Sequence, residues 1–150
     1  MKTNLLITGG LGYIGSFTSK RIFLKKKKKT LVIDNLSRGN SFSKKFSKNN
    51  QLDIANKKVI KILINSRIET ILHLASLTCV RESIINKKKY LKNYKSQIKF
   101  IKNLEKTNIK YFIFSSSLSV FEKNKFKTNP SPYSMYKLKI EKYLKKISSS

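Results

Sequence analysis

The chain has 150 residues, with 34 Lys and Arg against 7 Asp and Glu, and a formal net charge of +27. That length suits one domain, which can bury roughly 68–70% of the surface its unfolded form exposes, and 39% apolar residues supply a core and exclude wholesale disorder. A single cysteine, Cys79, excludes a disulfide framework and a Cys-based zinc site. No apolar stretch approaches the ~20 residues of a membrane span. The N-terminus lacks a basic start, an unbroken apolar segment and a small-residue cleavage site. The expectation is a soluble protein of a reducing compartment, the cytoplasm, with no membrane partner.

A charge of +27 invites a nucleic-acid reading, because clustered Lys and Arg release counterions from phosphates. The kind of cation argues otherwise. Only Arg21, Arg38, Arg67 and Arg81 are arginines; the other 30 basic residues are lysines, and Arg is the residue of bidentate phosphate and base contacts. Lys, Asn, Ile, Phe and Tyr make up 77 of the 150 residues, whereas Ala, Gly, Pro and Arg make up 13. The first group has A/T-rich codons and the second G/C-rich ones. Lysine drift over tolerant surface positions accounts for the charge, and no specific nucleic-acid partner is expected.

In chain order, Lys2–Thr8 carries Leu5-Leu6-Ile7 and reads as a buried strand ending at two glycines. From Gly12 to Leu24, the residues Ile14, Phe17, Arg21 and Leu24 fall at helical spacing and predict a helix with that stripe inward. Lys25–Lys29 reads as a solvated helix end, where cations suit the dipole. Thr30–Asp34 is a second strand and Asn35–Asn50 a polar loop. Gln51–Ile54 is the best candidate for a short third strand. Ala55–Ser66 reads as a helix, Glu69–Ala75 as a fourth strand, and Ser83–Thr107 as one long helix with Tyr94, Ile98, Ile101 and Leu104 on its apolar face. Tyr111–Ser115 is a fifth strand. Pro132–Ile147 is a final helix with Tyr136, Ile140, Tyr143, Leu144 and Ile147 inward, and residues 148–150 are a tail. Alternating strands and helices predict an α/β fold, a doubly wound parallel sheet with helices on both faces and right-handed crossovers.

Two places carry chemistry. Four of the five glycines lie in Thr8-Gly-Gly-Leu-Gly-Tyr-Ile-Gly15, between the first strand and the first helix. Glycines there permit a tight turn, close approach of backbone to a pyrophosphate, and tight helix–strand packing. The helix N-terminus offers N–H groups and a positive dipole end to the anion. Asp34 closes the second strand 19 residues after Gly15, near the ~20-residue offset of a carboxylate that binds a ribose 2′-hydroxyl. That carboxylate repels a 2′-phosphate and favours NAD over NADP. The second place is Ser131-Pro132-Tyr133, which reads as a helix start with Ser as N-cap. Tyr133 and Lys137 then share a face at i and i+4. An ammonium beside a phenol lowers the phenol pKa from about 10 and makes it a usable base.

Together these segments resemble the extended short-chain dehydrogenase/reductase (NAD-dependent epimerase/dehydratase) family, and within it the UDP-glucose 4-epimerases. The resemblance takes in the glycine signature, Val32-Ile-Asp-Asn-Leu-Ser-Arg-Gly39, Asp53-Ile54, His73-Leu-Ala-Ser76, Phe112-Ile-Phe-Ser-Ser-Ser-Leu-Ser-Val-Phe121 and Ser131-Pro-Tyr-Ser-Met-Tyr-Lys137, in the family's order. It implies a Rossmann-like NAD-binding domain over residues 1–147, truncated before a C-terminal substrate domain. It also implies roles. Gly9, Gly12, Tyr13, Ile14 and Gly15 cradle the pyrophosphate, and Asp34 and Asn35 hold the adenosine ribose. Asp53 and Ile54 contact adenine. Leu74 and Ala75, at the fourth-strand end, line the cofactor site, and Asn93 lies near the nicotinamide side. Ser117 bonds the sugar 4-hydroxyl, Tyr133 takes its proton, and Lys137 binds the nicotinamide ribose. His73 is a structural strand-end residue, and Cys79 a small, buried or half-buried one. The implied cofactor is NAD and the implied substrate a UDP-sugar, with no metal. Homodimerisation would use helices 83–107 and 132–147. Ser117-Leu118-Ser119 lacks the acid pair of the family's dehydratases. The alternatives are a noncatalytic NAD-binding remnant and one half of a split epimerase or dehydratase.

Overall fold

A computed structural model of the chain describes residues 4–121 and 130–148; residues 2 and 3 of the expected first strand and 149–150 of the expected tail lie outside them. The chain divides into two compact units, residues 1–75 with 99–114 and residues 76–98 with 115–150. The first unit holds the sheet. Strands β1 (Leu5–Thr8), β2 (Thr30–Asp34), β3 (Ser47–Gln51), β4 (Thr70–His73) and β5 (Tyr111–Phe114) are all parallel, in the order β3-β2-β1-β4-β5. Helix α1 (Tyr13–Lys26) crosses from β1 to β2 and α2 (Lys57–Ile64) from β3 to β4.

Strand side chains alternate between faces, and the two apolar clusters sort by that parity. Leu6, Ile33 and Ile71 pack with Val59 and Leu63 of α2, and with Phe100. Their chain neighbours Ile7, Val32 and Leu72 pack with Ile22 of α1. The two helices therefore lie on opposite faces of a doubly wound sheet, as expected for a Rossmann-like fold. Each fully buried aliphatic side chain contributes roughly 1.5–3 kcal/mol.

Three readings of the sequence are corrected. The third strand is Ser47–Gln51, not Gln51–Ile54. It pairs with β2 alone, from Thr30↔Ser47 to Asp34↔Gln51. An edge strand needs ladder hydrogen bonds but little burial, so Ser-Lys-Asn-Asn-Gln serves without an apolar pattern. The stripe of α1 is also different. Ile14 and Phe17 are each 60% exposed and Leu24 is half exposed, whereas Gly15 and Ser19 are buried and Ile22 faces the core. Residues 15, 19 and 22 form an equally good helical stripe, and its small members let the helix approach the sheet closely. Finally, the expected helix over 83–107 is two helices, α3 (Val80–Ile85) and α4 (Lys87–Asn103), followed by a 3-10 turn at Leu104–Lys106. Asn86, at φ −111° and ψ 56°, ends α3, in keeping with the weak helix propensity of Asn.

The second unit contains α3, most of α4, a 3-10 turn at Leu118–Phe121, and α5 (Pro132–Ser148). Tyr94 of α4 stacks on Tyr136 of α5 at 4.9 Å between centroids and 14° between planes. No helix among the described residues is long and apolar enough to cross a membrane.

Candidate functional site: a glycine cradle and a tyrosine–lysine helix

The cradle belongs to the first unit. Leaving β1, the chain turns at Gly9, which sits at φ +68° and donates its N–H to the Ile33 carbonyl at 2.8 Å. A Cβ on Gly9 would lie 2.7 Å from the Ala75 nitrogen, and one on Gly15 would lie 2.5 Å from both the Gly9 oxygen and the Gly10 Cα. Both positions require glycine, one for its backbone angle and both for space. Gly12 is the N-cap of α1, and no side chain caps it. The first-turn N–H groups, those of Tyr13, Ile14 and Gly15, have no intrahelical acceptor by helix geometry. A loop that keeps side chains away from these donors can hold an anion.

Asp34, at the end of β2, is buried, and its carboxylate accepts from the Leu11 N–H (2.9 Å) and the Leu36 N–H (2.7 Å). Leu36 is itself left-handed, at φ 59°. The carboxylate thus joins the glycine loop to the turn after β2 and still has lone pairs for a diol. Asn35 donates to Asp53 Oδ2 at 3.0 Å, so Asp34, Asn35 and Asp53 form one polar group. The Ile54 side chain is buried in the α2 cluster. Leu74 donates its N–H to the Thr8 carbonyl at 3.0 Å, and the Ala75 backbone lies against Gly9. His73 takes the structural part expected of it. It is buried, its Nδ1 is 2.8 Å from Thr8 Oγ1, and its ring lies among Phe100, Phe112 and Phe114.

The tyrosine–lysine helix belongs to the second unit. Ser131 caps α5, because its Oγ accepts the Ser134 N–H at 3.2 Å and pairs with Ser134 Oγ at 2.8 Å. This anchors the first turn, and Tyr133 and Lys137 are both buried on one face. Lys137 is only 4% exposed. Its Nζ donates to the Ser115 carbonyl at 2.7 Å and stands 6.0 Å from the Tyr133 ring centroid. Burial pulls its pKa down to about 8, with Glu141 pulling the other way. At neutral pH the ammonium therefore keeps its proton beside the phenol. Ser117 pairs with Ser119 at 2.9 Å between hydroxyls.

A cavity of about 10 Å³, the size of one water, is lined by Tyr133, Lys137, Asn93, Gln97 and neighbours. Asn93 thus joins the tyrosine and lysine. Its Oδ1 accepts from Gln97 Nε2 (2.8 Å) and the Leu77 N–H (3.3 Å). Gln97 and Tyr90 are site neighbours that sequence reasoning missed. Tyr90 is buried, and its hydroxyl donates to the Cys79 carbonyl at 2.7 Å. No motif marks either residue, and Tyr90 is surrounded by lysines in sequence. Cys79 itself is exposed, correcting the expectation of burial. It caps α3, with Sγ accepting the Glu82 N–H at 3.5 Å, and a cap lies on the surface end of a helix.

Residues 5–150 match the model of the NAD dependent epimerase/dehydratase family. The chain is 30% identical to a UDP-glucose 4-epimerase of Pasteurella multocida over 97% of its own length and 48% of that protein's. It is 33% identical to the UDP-glucose 4-epimerase uge1 of Schizosaccharomyces pombe over 78% of its length and 36% of the relative's. Among solved structures, the Thermotoga maritima UDP-glucose 4-epimerase with UDP-glucose superposes with a TM-score of 0.86 at 25% identity, covering 99% of this chain and 52% of that one. The Bifidobacterium longum enzyme in complex with NAD+ and UDP gives 0.83 at 25% identity, covering 95% and 48%. The chain spans about half the length of these relatives, and little more than a third of the Schizosaccharomyces pombe one. It belongs to the NAD-dependent epimerase/dehydratase family.

Proposed function

We propose that the chain binds NAD through the Gly9–Gly15 loop and Asp34, and that Tyr133, Lys137 and Ser117 serve the C4 epimerisation of a UDP-sugar. The cradle fits the cofactor: glycines that let the turn and the start of α1 pack closely against Ala75 and each other, uncapped first-turn N–H groups for a pyrophosphate, and a buried carboxylate for a ribose diol. NAD, when bound, supplies a hydride acceptor and donor for the sugar carbon. The chain's residues manage the proton. Tyr133 Oη takes it from the 4-hydroxyl and returns it, Lys137 favours the phenolate by its charge, and Ser117 Oγ orients the hydroxyl. General base catalysis of this kind contributes about 10²–10⁴-fold. The observation that carries the reading is the buried Tyr133–Lys137 pair on a Ser131-capped helix.

The test is interconversion of UDP-glucose and UDP-galactose by the wild-type chain and by Tyr133→Phe. Turnover in the first, with at least a hundredfold loss in the second at unchanged NAD affinity, is the expected result; equal rates would defeat the assignment of Tyr133. The second reading is NAD binding without sugar turnover. Wild-type protein that binds NAD yet converts no UDP-sugar would select it. We also propose a homodimer through the exposed apolar residues Ile84, Ile85, Leu91 and Ile147 of α3, α4 and α5, the last of which is exposed at the helix end rather than inward as its spacing predicts; a monomer mass by light scattering at micromolar concentration would refute it.

A further inference from the structure

A second candidate site lies in the first unit, along the outer side of β3 and beside α2. It is an open groove of about 1540 Å³. Seven cations line it: Lys27–Lys29 before β2, Lys48 on β3, Lys58 and Lys61 on α2, and Arg67 before β4. No Asp or Glu is among the lining residues. Three of the four acidic side chains of this unit are engaged elsewhere: Asp34 with backbone N–H groups, Asp53 with Asn35, and Glu69 with Lys110 at 2.6 Å; the fourth, Glu105, is not among the lining residues. The side-chain amides of Asn50 and Gln51 add neutral donors along the edge strand, whereas that of Asn49 is bonded to the Lys44 and Ser47 carbonyls. Lys27–Lys29 and Arg67 sit at the amino ends of β2 and β4, whereas the glycine cradle sits at the carboxyl end of β1. These four cations therefore lie at the opposite end of the sheet from the glycine cradle.

We propose that this groove binds the phosphate backbone of a nucleic acid without reading its bases. The lining supplies what that ligand needs and omits what base recognition needs. Clustered ammonium groups displace counterions from successive phosphates. No aromatic side chain lines the groove to stack a base. Its single arginine gives little scope for bidentate base contacts. Its volume lies above the 300–1,000 Å³ of a small-ligand pocket and it is open to solvent, as suits a polymer that passes along it. The proposal does not depend on the NAD reading.

The test measures binding of a fluorescein-labelled, mixed-sequence, single-stranded RNA 12-mer across a salt series. It compares the wild-type chain with K27Q/K28Q/K29Q/K58Q/K61Q and with a control of equal charge loss on α4, K87Q/K88Q/K92Q/K95Q/K99Q. Each lost phosphate contact flattens the slope of log K against log salt by about 0.7. The groove variant should therefore flatten it by up to about 3.5, the control by less than 1, and changing the RNA sequence should leave the affinity unchanged. Equal losses in the two variants would show that affinity follows net charge and would overturn the proposal, as would absence of wild-type binding at low salt. Lysine acetylation footprinting of the wild-type complex decides the matter even if a variant misfolds. Protection of Lys58 and Lys61 over Lys87 and Lys92 is expected, and the reverse or uniform protection would refute it.

Discussion

Replacing Lys137 with Met tests the burial of this ammonium directly. Lys137 is held in the second unit with its Nζ on the Ser115 carbonyl, and burial lowers its pKa from 10.5 to about 8. A difference of about 2.5 at 1.36 kcal/mol each corresponds to about 3 kcal/mol. The sign follows from the proton count. Between pH 8 and 10.5 the unfolded chain keeps this proton and the folded chain loses it, so folding becomes more favourable as pH rises through that window. Below pH 8 the folded state bears the whole cost of the buried charge. Urea unfolding of wild type and Lys137→Met from pH 7 to 10.5 cancels the titration of the other lysines and tyrosines. The stability of wild type relative to the variant should rise by about 3 kcal/mol across the series. Parallel pH profiles, within about 1 kcal/mol, would show that Lys137 is not desolvated and would remove the electrostatic argument for an activated Tyr133.

Two further substitutions probe the frame of the site. In Gly15→Ala the new Cβ meets backbone at 2.5 Å, which cannot rotate away. Overpacking of this kind costs about 1–3 kcal/mol, so thermal unfolding should shift down despite the better helix propensity of Ala, and NAD-dependent stabilisation should vanish; an unchanged midpoint would refute the close approach. Ser131→Ala removes the cap of α5 and should cost about 1 kcal/mol in urea unfolding, with Ser131→Asp recovering most of it. An alanine variant as stable as wild type would show that the Ser134 N–H does not depend on this cap.

Both chemical motifs were legible because their backbone demands are written in rare residues. Glycine and proline each have a conformational reason to stand where they do, and Gly9, Gly15 and Pro132 mark the cradle and the helix start. The strands β1, β2 and β4 were equally plain, since a sheet packed on both faces selects continuous apolar runs such as Leu5-Leu6-Ile7. What was lost lay where burial does not select side chains. β3 is polar because an edge strand is specified by ladder hydrogen bonds. The face of α1 was misread because Gly15 and Ser19 are buried for their small size, which a search for large apolar residues passes over. Gln97 and Tyr90 were missed for a related reason. Each is a polar side chain buried by satisfying polar neighbours, Asn93 one turn away for Gln97 and Cys79 and Glu82 for Tyr90, and no residue pattern announces such pairings. The +27 charge proved hardest to read from composition, because only the fold shows that seven of its cations gather on one groove free of carboxylates.

Thermal unfolding of the wild-type chain with and without millimolar NAD tests NAD binding by the cradle most directly. A ligand at a hundred times its Kd adds about 2.7 kcal/mol. The expected result is a concentration-dependent rise in Tm that is lost in Asp34→Ala. A midpoint that does not move with NAD in a folded wild-type protein would contradict it.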